Sequence, residues 1–129
     1  MTHDPPPIVS QYFAARRALI AASDADGRER LDGTLRDIAL TDPDAALTIM
    51  RELSISDDFT AREAVAIYVR YLFPMRPEHV KELLIALLGD ANPDIARQAL
   101  STIDELTGDP ELDADQAASR LQAMTDNDH

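Results

Sequence analysis

The chain has 129 residues, of which 45 % are hydrophobic, so it can fold as a single domain with a core of ordinary size. Its 24 acidic and 12 basic residues give a net charge of −12, which argues against nucleic acid or an anionic membrane surface as the partner. The sequence contains no cysteine, which excludes disulfide scaffolds, thiol catalysis and cysteine-ligated metals.

Residues 1–7 are predicted to be a disordered lead, because Pro5-Pro6-Pro7 favours an extended polyproline conformation. This segment has neither the basic nor the apolar stretch of a signal peptide. No segment approaches the roughly 20 apolar residues that are needed to span a bilayer. We therefore expect a cytoplasmic protein that does not act at a membrane.

Apolar residues recur at spacings of three and four, which predicts helices, and no convincing alternating strand is found. The seven predicted helices cover approximately residues 9–22, 28–40, 43–53, 59–73, 77–89, 93–107 and 113–124. We predict an all-α protein with a single domain at residues 8–125. Residues 126–129 are predicted to be a disordered tail.

Helix ends are marked by capping residues and prolines. Asp42 and Asn92 each precede a proline, so each is expected to cap a helix whose first residue is that proline. Asp57 or Asp58 is expected to cap the fourth helix. Gly89 is expected to end the fifth helix in the left-handed conformation.

One short pattern returns at a fixed interval. The segment Ala61-Arg62-Glu63-Ala64-Val65 recurs 35 residues later as Ala96-Arg97-Gln98-Ala99-Leu100. A period of this size indicates helical repeats, in which stacked neighbours share one core. Taken in order, the helices form three antiparallel pairs and one terminal helix. The interval from the first pair to the second is 34 residues, one fewer than from the second to the third.

The segment 83–100 resembles a HEAT repeat. Its apolar first helix leads through Asp90 to a second helix that opens with Ile95, Ala96 and Arg97. The second pair matches only in its Ala-Arg-x-Ala element, and the first pair only in period and apolar spacing. The resemblance implies a short right-handed α-solenoid that binds proteins along the ridge of its second helices, without catalytic residues. Another seven-helix bundle with the same spacings is the alternative.

The candidate partner-binding residues lie on or just beyond the fourth helix. They are Arg62, Ile67, Arg70, Tyr71 and Phe73. Arginine and tyrosine are common anchors of protein interfaces. Each candidate also has a structural alternative. Tyr71 aligns with a core position, and Arg62, like Arg97, can bond turn carbonyls or a turn aspartate such as Asp58 or Asp90.

The repeat comparison adds a prediction about burial. Ser101, Thr102 and Asp104 are expected to face water, whereas their counterparts in the fourth helix are apolar. Those counterparts are Ala66, Ile67 and Val69. The fourth helix is therefore apolar nearly all round, which is typical of a helix buried between neighbours. An exposed apolar patch in the middle of the ridge is the alternative.

Residues suited to catalysis are scarce. His79 shares a predicted helix face with Glu82, but a metal site needs further ligands from elsewhere. The sequence has no glycine-rich phosphate loop and no nucleophile motif. We expect no metal, no cofactor and no enzyme activity.

The predicted function is a non-catalytic protein-interaction module, a scaffold or adaptor that presents its ridge to a protein partner. Residues 104–129 carry eight acids and one base, which indicates either a solubilising end or a surface for a basic partner. The first alternative is an immunity protein or antitoxin-type inhibitor that covers the basic active site of a toxin or nuclease. The second is a structural subunit that pairs with itself, as a homodimer or larger assembly.

Overall fold

The computed structural model describes residues 7–124, which form eight α-helices and one 3₁₀ turn and contain no β-strand. The elements are α1 (Pro7–Ala21), α2 (Ala25–Gly33), α3 (Leu35–Thr41), α4 (Pro43–Ser54), α5 (Phe59–Tyr68), the 3₁₀ turn (Val69–Tyr71), α6 (Pro77–Leu88), α7 (Pro93–Thr107) and α8 (Ala114–Ala123). The all-α prediction is confirmed. The predicted lead lies outside the described residues except for Pro7, which begins α1, and the predicted tail 126–129 lies outside them entirely.

The predicted N-terminal caps are present. The side chain of Asp42 accepts a hydrogen bond from the backbone N–H of Ala45, and those of Asp58 and Asn92 cap α5 and α7 in the same way. The expectation for Gly89 is wrong, because its φ is −93°. The left-handed glycine is Gly108, which ends α7 at a φ of +75°.

Two predicted helices are shorter in the structure. The second is interrupted at Thr34, whose hydroxyl donates to the carbonyl of Leu31 and so competes with the helical backbone. The fourth ends as an α-helix at Tyr68 and tightens into the 3₁₀ turn. Pro74 cannot continue a helix, so the chain leaves this element soon afterwards.

The helix contacts include two series, which we call the first row and the second row. In the first row α1 contacts α4, α4 contacts α6, and α6 contacts α8; in the second row α2 contacts α5, and α5 contacts α7. Helix α8 also packs against α7. The helices share one apolar core, and its largest fully buried side chains include Leu35, Met50, Leu72, Leu84 and Ile103.

Burial along α5 and α7 corrects one prediction. Thr102 is fully buried rather than solvent-facing, because its hydroxyl donates to the carbonyl of Ala66 at 2.6 Å and so crosses between the two helices. Ser101 is exposed as expected. Ala66 and Val69 are fully buried, which agrees with the burial interpretation of this segment. Ile67 is only half-buried.

Candidate functional site

The middle of the second row carries a small amphipathic surface. The rings of Tyr68 and Tyr71 stack with centroids 6.5 Å apart and an interplanar angle of 27°. The guanidinium carbon of Arg36 lies 5.5 Å from the centroid of the Tyr71 ring. With half-buried Ile67, these residues form what we call the ridge patch (Arg36, Ile67, Tyr68 and Tyr71).

The local backbone explains the tyrosine pair. Side chains three residues apart nearly eclipse in a 3₁₀ turn, which has three residues per turn. Tyr71 ends the turn that begins directly after Tyr68, so the two rings lie on the same side of the segment. Ile67 lines a cleft together with Tyr68.

A shallow cleft of about 150 Å³ adjoins the ridge patch between α2 and α5. Ile67 and Tyr68 supply its apolar wall, and Glu29, Glu63 and Arg28 supply charged groups. The cleft is open to solvent. Asp32 and Thr60 also line it, so its lining mixes polar and apolar groups.

Arg62 is engaged within the molecule. Its Nε donates to Asp90 Oδ2 at 2.8 Å, and its Nη1 donates to the carbonyl of Ser56 at 2.8 Å. The hydrogen bond from Arg62 holds the pKa of Asp90 below its ordinary value. The predicted turn-holding role of Arg62 is confirmed. Arg97 differs, because it is exposed and pairs with Asp94 of its own helix.

Arg70 is also used internally. Its Nε donates to the carbonyl of Ile67 at 2.7 Å, its Nη2 donates to Thr102 Oγ1 at 3.0 Å, and its Nη1 pairs with Glu105. It therefore ties α5 to α7. Of the five predicted partner-binding residues, Ile67 and Tyr71 each lie beside Tyr68. Phe73 is half-buried against the core.

Sequence reasoning missed a buried ionic cluster between α1, α2 and the start of α5. Arg16 and Asp32 are only 5 % and 4 % exposed. Arg16 Nε lies 3.2 Å from Asp32 Oδ1, and Arg16 Nη2 lies 3.4 Å from Asp32 Oδ2, so the pair is bidentate. The hydroxyl of Tyr12 donates to the same carboxylate at 2.5 Å.

The cluster extends to the α5 cap. Arg16 also donates from Nη1 to Asp58 Oδ2 at 3.3 Å and from Nη2 to Thr60 Oγ1 at 3.3 Å. Burial, and then the charge of Asp32, raise the pKa of Tyr12, so its proton is retained. Burial alone would raise the pKa of Asp58, but hydrogen bonds from Thr60 and Arg16 outweigh it, and the pKa is lowered.

The cluster is internally satisfied and has the character of a structural joint. Each strong donor of Arg16 has an acceptor, and the Asp32 carboxylate receives both Tyr12 and Arg16. A spacing of four residues between Tyr12 and Arg16, and between Arg28 and Asp32, was the only sequence signal. That spacing places each pair on one helix face but does not show that the two faces meet.

Within residues 7–124, no group of three or more His, Asp or Glu side chains is placed to hold a metal ion. His79 Nδ1 lies 2.6 Å from Arg51 Nη2 on the surface. None of the helices in this range is both long and apolar enough to cross a membrane.

Comparison with family models, with curated proteins and with solved structures finds no match to this chain in any of the three.

Proposed function

We propose that the chain is a non-catalytic protein-binding module, a short HEAT-like α-solenoid that presents the ridge patch to a protein partner. The two rows of helices support the solenoid, because stacked antiparallel pairs place first helices beside first helices and second beside second. Helix α8 packs on both α6 and α7, which is the position of a cap at the end of such a stack.

The observation that carries the binding function is the composition of the ridge patch. Two half-exposed tyrosines, an isoleucine and an exposed arginine lie together on the outer side of the second row. Tyrosine and arginine are enriched among the residues that dominate binding energy. A scaffold without a partner gains nothing from leaving stacked aromatic rings partly in water.

The surface is also prearranged. The bond from Thr102 to Ala66 and the contacts of Arg70 hold α5 against α7, so the backbone beneath the patch is already ordered. Binding therefore requires little loss of conformational freedom, which favours affinity. Glu29 and Glu63, which line the cleft beside the patch, and the net charge of −12 favour a basic partner and faster encounter.

The test compares a ridge variant with a matched control. Arg36→Glu/Ile67→Ser changes the ridge patch, while Leu112→Ser/Arg120→Glu makes the same types of change by α8, with Leu112 half-buried like Ile67. A partner captured by the wild type from cell lysate is purified, and its affinity for each variant is measured by calorimetry. We expect the ridge variant to weaken binding by about tenfold or more and the control by less than about twofold.

Two results would contradict the proposal. The first is capture of no protein by the wild type. The second is equal affinity of the captured protein for the ridge variant and the control, with both variants keeping the wild-type melting temperature.

A further inference from the structure

A second surface lies at the edge that carries the α1–α2 and α4–α5 turns. Ile55 is 83 % exposed, Phe59 is 52 % exposed and Ile20 is 48 % exposed. We call these three residues the turn-edge patch. Single exposed apolar side chains are ordinary, but neighbouring ones on one edge commonly mark an interaction site.

Two clefts at this edge place Ile20 beside the turn that Ile55 and Phe59 flank. One cleft is lined by Phe13, Ile20, Ser56 and Asp58, among others, and a second by Ile20 and Asp58 with the start of α2. Each has a volume of about 240 Å³. Ile20 therefore lies beside the short turn 56–58, and that turn separates Ile55 from Phe59 in the sequence.

The turn is held rigidly from behind. The backbone N–H of Asp58 donates to Ser56 Oγ at 3.1 Å, and Arg62 Nη1 donates to the Ser56 carbonyl at 2.8 Å. Arg16 holds the carboxylate of Asp58 from the other side. The positions of Ile55 and Phe59 are thus determined by the fold before any partner arrives, so their exposure is a stable feature of the surface.

The charge at this edge is unbalanced. Asp26, Glu52 and Asp57 are exposed, and none of them forms an ion pair within residues 7–124. The nearby arginines are neutralised: Arg16 and Arg28 pair with Asp32, and Arg62 pairs with Asp90. Arg17 is the exposed base beside the first cleft. Three unpaired carboxylates against one base leave the edge negative.

We infer that the turn-edge patch docks a basic protein through apolar side chains that enter beside Ile20 and pack against Ile55 and Phe59. Lysine or arginine side chains of the partner face Glu52 and Asp57. The inference rests on the proposed protein-binding function and adds a second surface to it. A second copy of this chain fits poorly, because a symmetric pair would bring two negative edges together.

The probe is a displayed library of random peptides selected on the full chain. We expect enriched peptides that combine lysine or arginine with large apolar residues. The affinity of an enriched peptide is then measured by fluorescence anisotropy for the wild type and for Ile55→Ser/Phe59→Ser. We expect a loss of about tenfold or more, because both side chains are exposed and serve binding rather than folding. Leu40→Ser, an exposed apolar residue elsewhere, is the control and keeps wild-type affinity.

A charge variant tests the electrostatic part. Glu52→Gln/Asp57→Asn should slow association and reduce the dependence of the association rate on salt. The matched control, Glu111→Gln/Asp115→Asn, removes the same number of carboxylates near α8 and should change neither. Stopped-flow fluorescence of the labelled peptide measures the association rate at low and at high salt.

Each contrary result has a distinct meaning. Peptides without basic residues, or binding that is unchanged in Ile55→Ser/Phe59→Ser, would overturn the inference. If binding is lost instead in Arg36→Glu/Ile67→Ser, the inference fails and the proposed function stands. If no peptide is enriched, the inference fails, and the proposed function is decided separately by capture of a protein partner. A wild-type chain that sediments as a dimer and becomes monomeric in Ile55→Ser/Phe59→Ser would show that a second copy occupies the patch, and would also overturn the inference.

Discussion

Helix α5 is joined to its neighbours at two junctions that differ in their chemistry. At the N-terminal junction, α1 and α2 meet the start of α5 through the buried side chains of Tyr12, Arg16 and Asp32. At the C-terminal junction, α5 meets α7 through apolar side chains and one buried hydrogen bond, from Thr102 to Ala66. The arginines at the C-terminal junction, Arg62 and Arg70, lie at its edges and are partly hydrated.

The two junctions are expected to differ in how much stability a single substitution removes. A buried charge is stable only while its partner remains, because the partner compensates for the hydration that was lost on burial. Apolar contacts are nearly independent, so loss of one leaves the others in place. We therefore expect the N-terminal junction to be far more sensitive to a single polar substitution than the C-terminal junction.

The largest effect is expected from Asp32→Ala. This change leaves Arg16, which is almost fully buried, without its bidentate partner, and it leaves the Tyr12 hydroxyl without an acceptor. The free energy of unfolding should fall by about 3–5 kcal/mol. Urea denaturation followed by circular dichroism measures the change.

A variant that removes the whole cluster is the control for Asp32→Ala. Tyr12→Phe/Arg16→Leu/Asp32→Leu leaves no unpaired charge from the central three residues, so it should be clearly more stable than Asp32→Ala. Equal instability of the two variants would show that the loss comes from altered packing, and the account of the junction as an ionic joint would be wrong.

A smaller effect is expected from Tyr12→Phe. Only the hydroxyl is removed, and Arg16 continues to satisfy the Asp32 carboxylate. Hydrogen bonds to charged acceptors contribute more than neutral ones, so the loss should be about 2 kcal/mol. The control is Phe13→Leu, which changes the ring packed edge-to-face on Tyr12 but removes none of the hydrogen bonds of the cluster. Thermal unfolding of both variants separates the contribution of the Tyr12 hydroxyl from that of the aromatic packing. No change in Tyr12→Phe would contradict the hydrogen bond.

At the C-terminal junction, Thr102→Val should cost about 1 kcal/mol. Valine has nearly the same shape and keeps the apolar contacts, while the bonds to the Ala66 carbonyl and from Arg70 are lost. The exposed neighbour provides the control, since Ser101→Val should change stability by less than about 0.5 kcal/mol. A loss in Thr102→Val as large as in Asp32→Ala would remove the distinction between the two junctions.

The smallest effects are expected on acidification. The pKa values of Asp58 and Asp90 are lower in the folded chain than their ordinary value of 3.8. Their contribution to stability is therefore complete above the unfolded pKa, and it is lost as the pH falls through the folded pKa. Melting temperatures measured from about pH 6 to about pH 3 should fall less for Asp58→Asn and Asp90→Asn than for the wild type.

Asparagine can still cap α5 at position 58, so a reduced acid sensitivity of Asp58→Asn would report on the charge of Asp58. Asp90→Asn reports the corresponding contribution of the pair with Arg62 at the C-terminal junction. Curves parallel to the wild type in both variants would exclude these two carboxylates as sources of acid sensitivity.

Much of the helical order could be predicted because its signals are local. Asp42, Asp58 and Asn92 lie within three residues of the N–H groups that they cap, so short sequence segments reveal them. The turn-holding role of Arg62 was predictable, because an arginine at the start of a second helix commonly bonds to a turn. The backbone conformation of Gly89 was not predictable, since whether a terminal glycine adopts positive φ depends on how the following turn continues.

The candidate site was only partly predictable. Ile67 and Tyr71 were predicted to bind a partner and each lies beside Tyr68, whereas Arg36 and Tyr68, the other members of the ridge patch, were not predicted. Arg36 is 35 residues from Tyr71, and no local pattern indicates that α3 brings it over that ring. The turn-edge patch was missed for a related reason, because Ile20, Ile55 and Phe59 read as ordinary apolar residues of helix ends.

The sequence by itself determined the all-α class, the order of the helices and most of their ends, because spacing, prolines and caps act within one or two turns of chain. Only the tertiary structure decided which polar side chains are buried. Thr102 was expected to face water, but its hydroxyl donates a hydrogen bond to a carbonyl of α5. Tyr12 and Arg16 bond to Asp32, which lies 20 and 16 residues away in the sequence. Burial depends on which helix faces meet, and that is a property of the packed chain, not of any one segment.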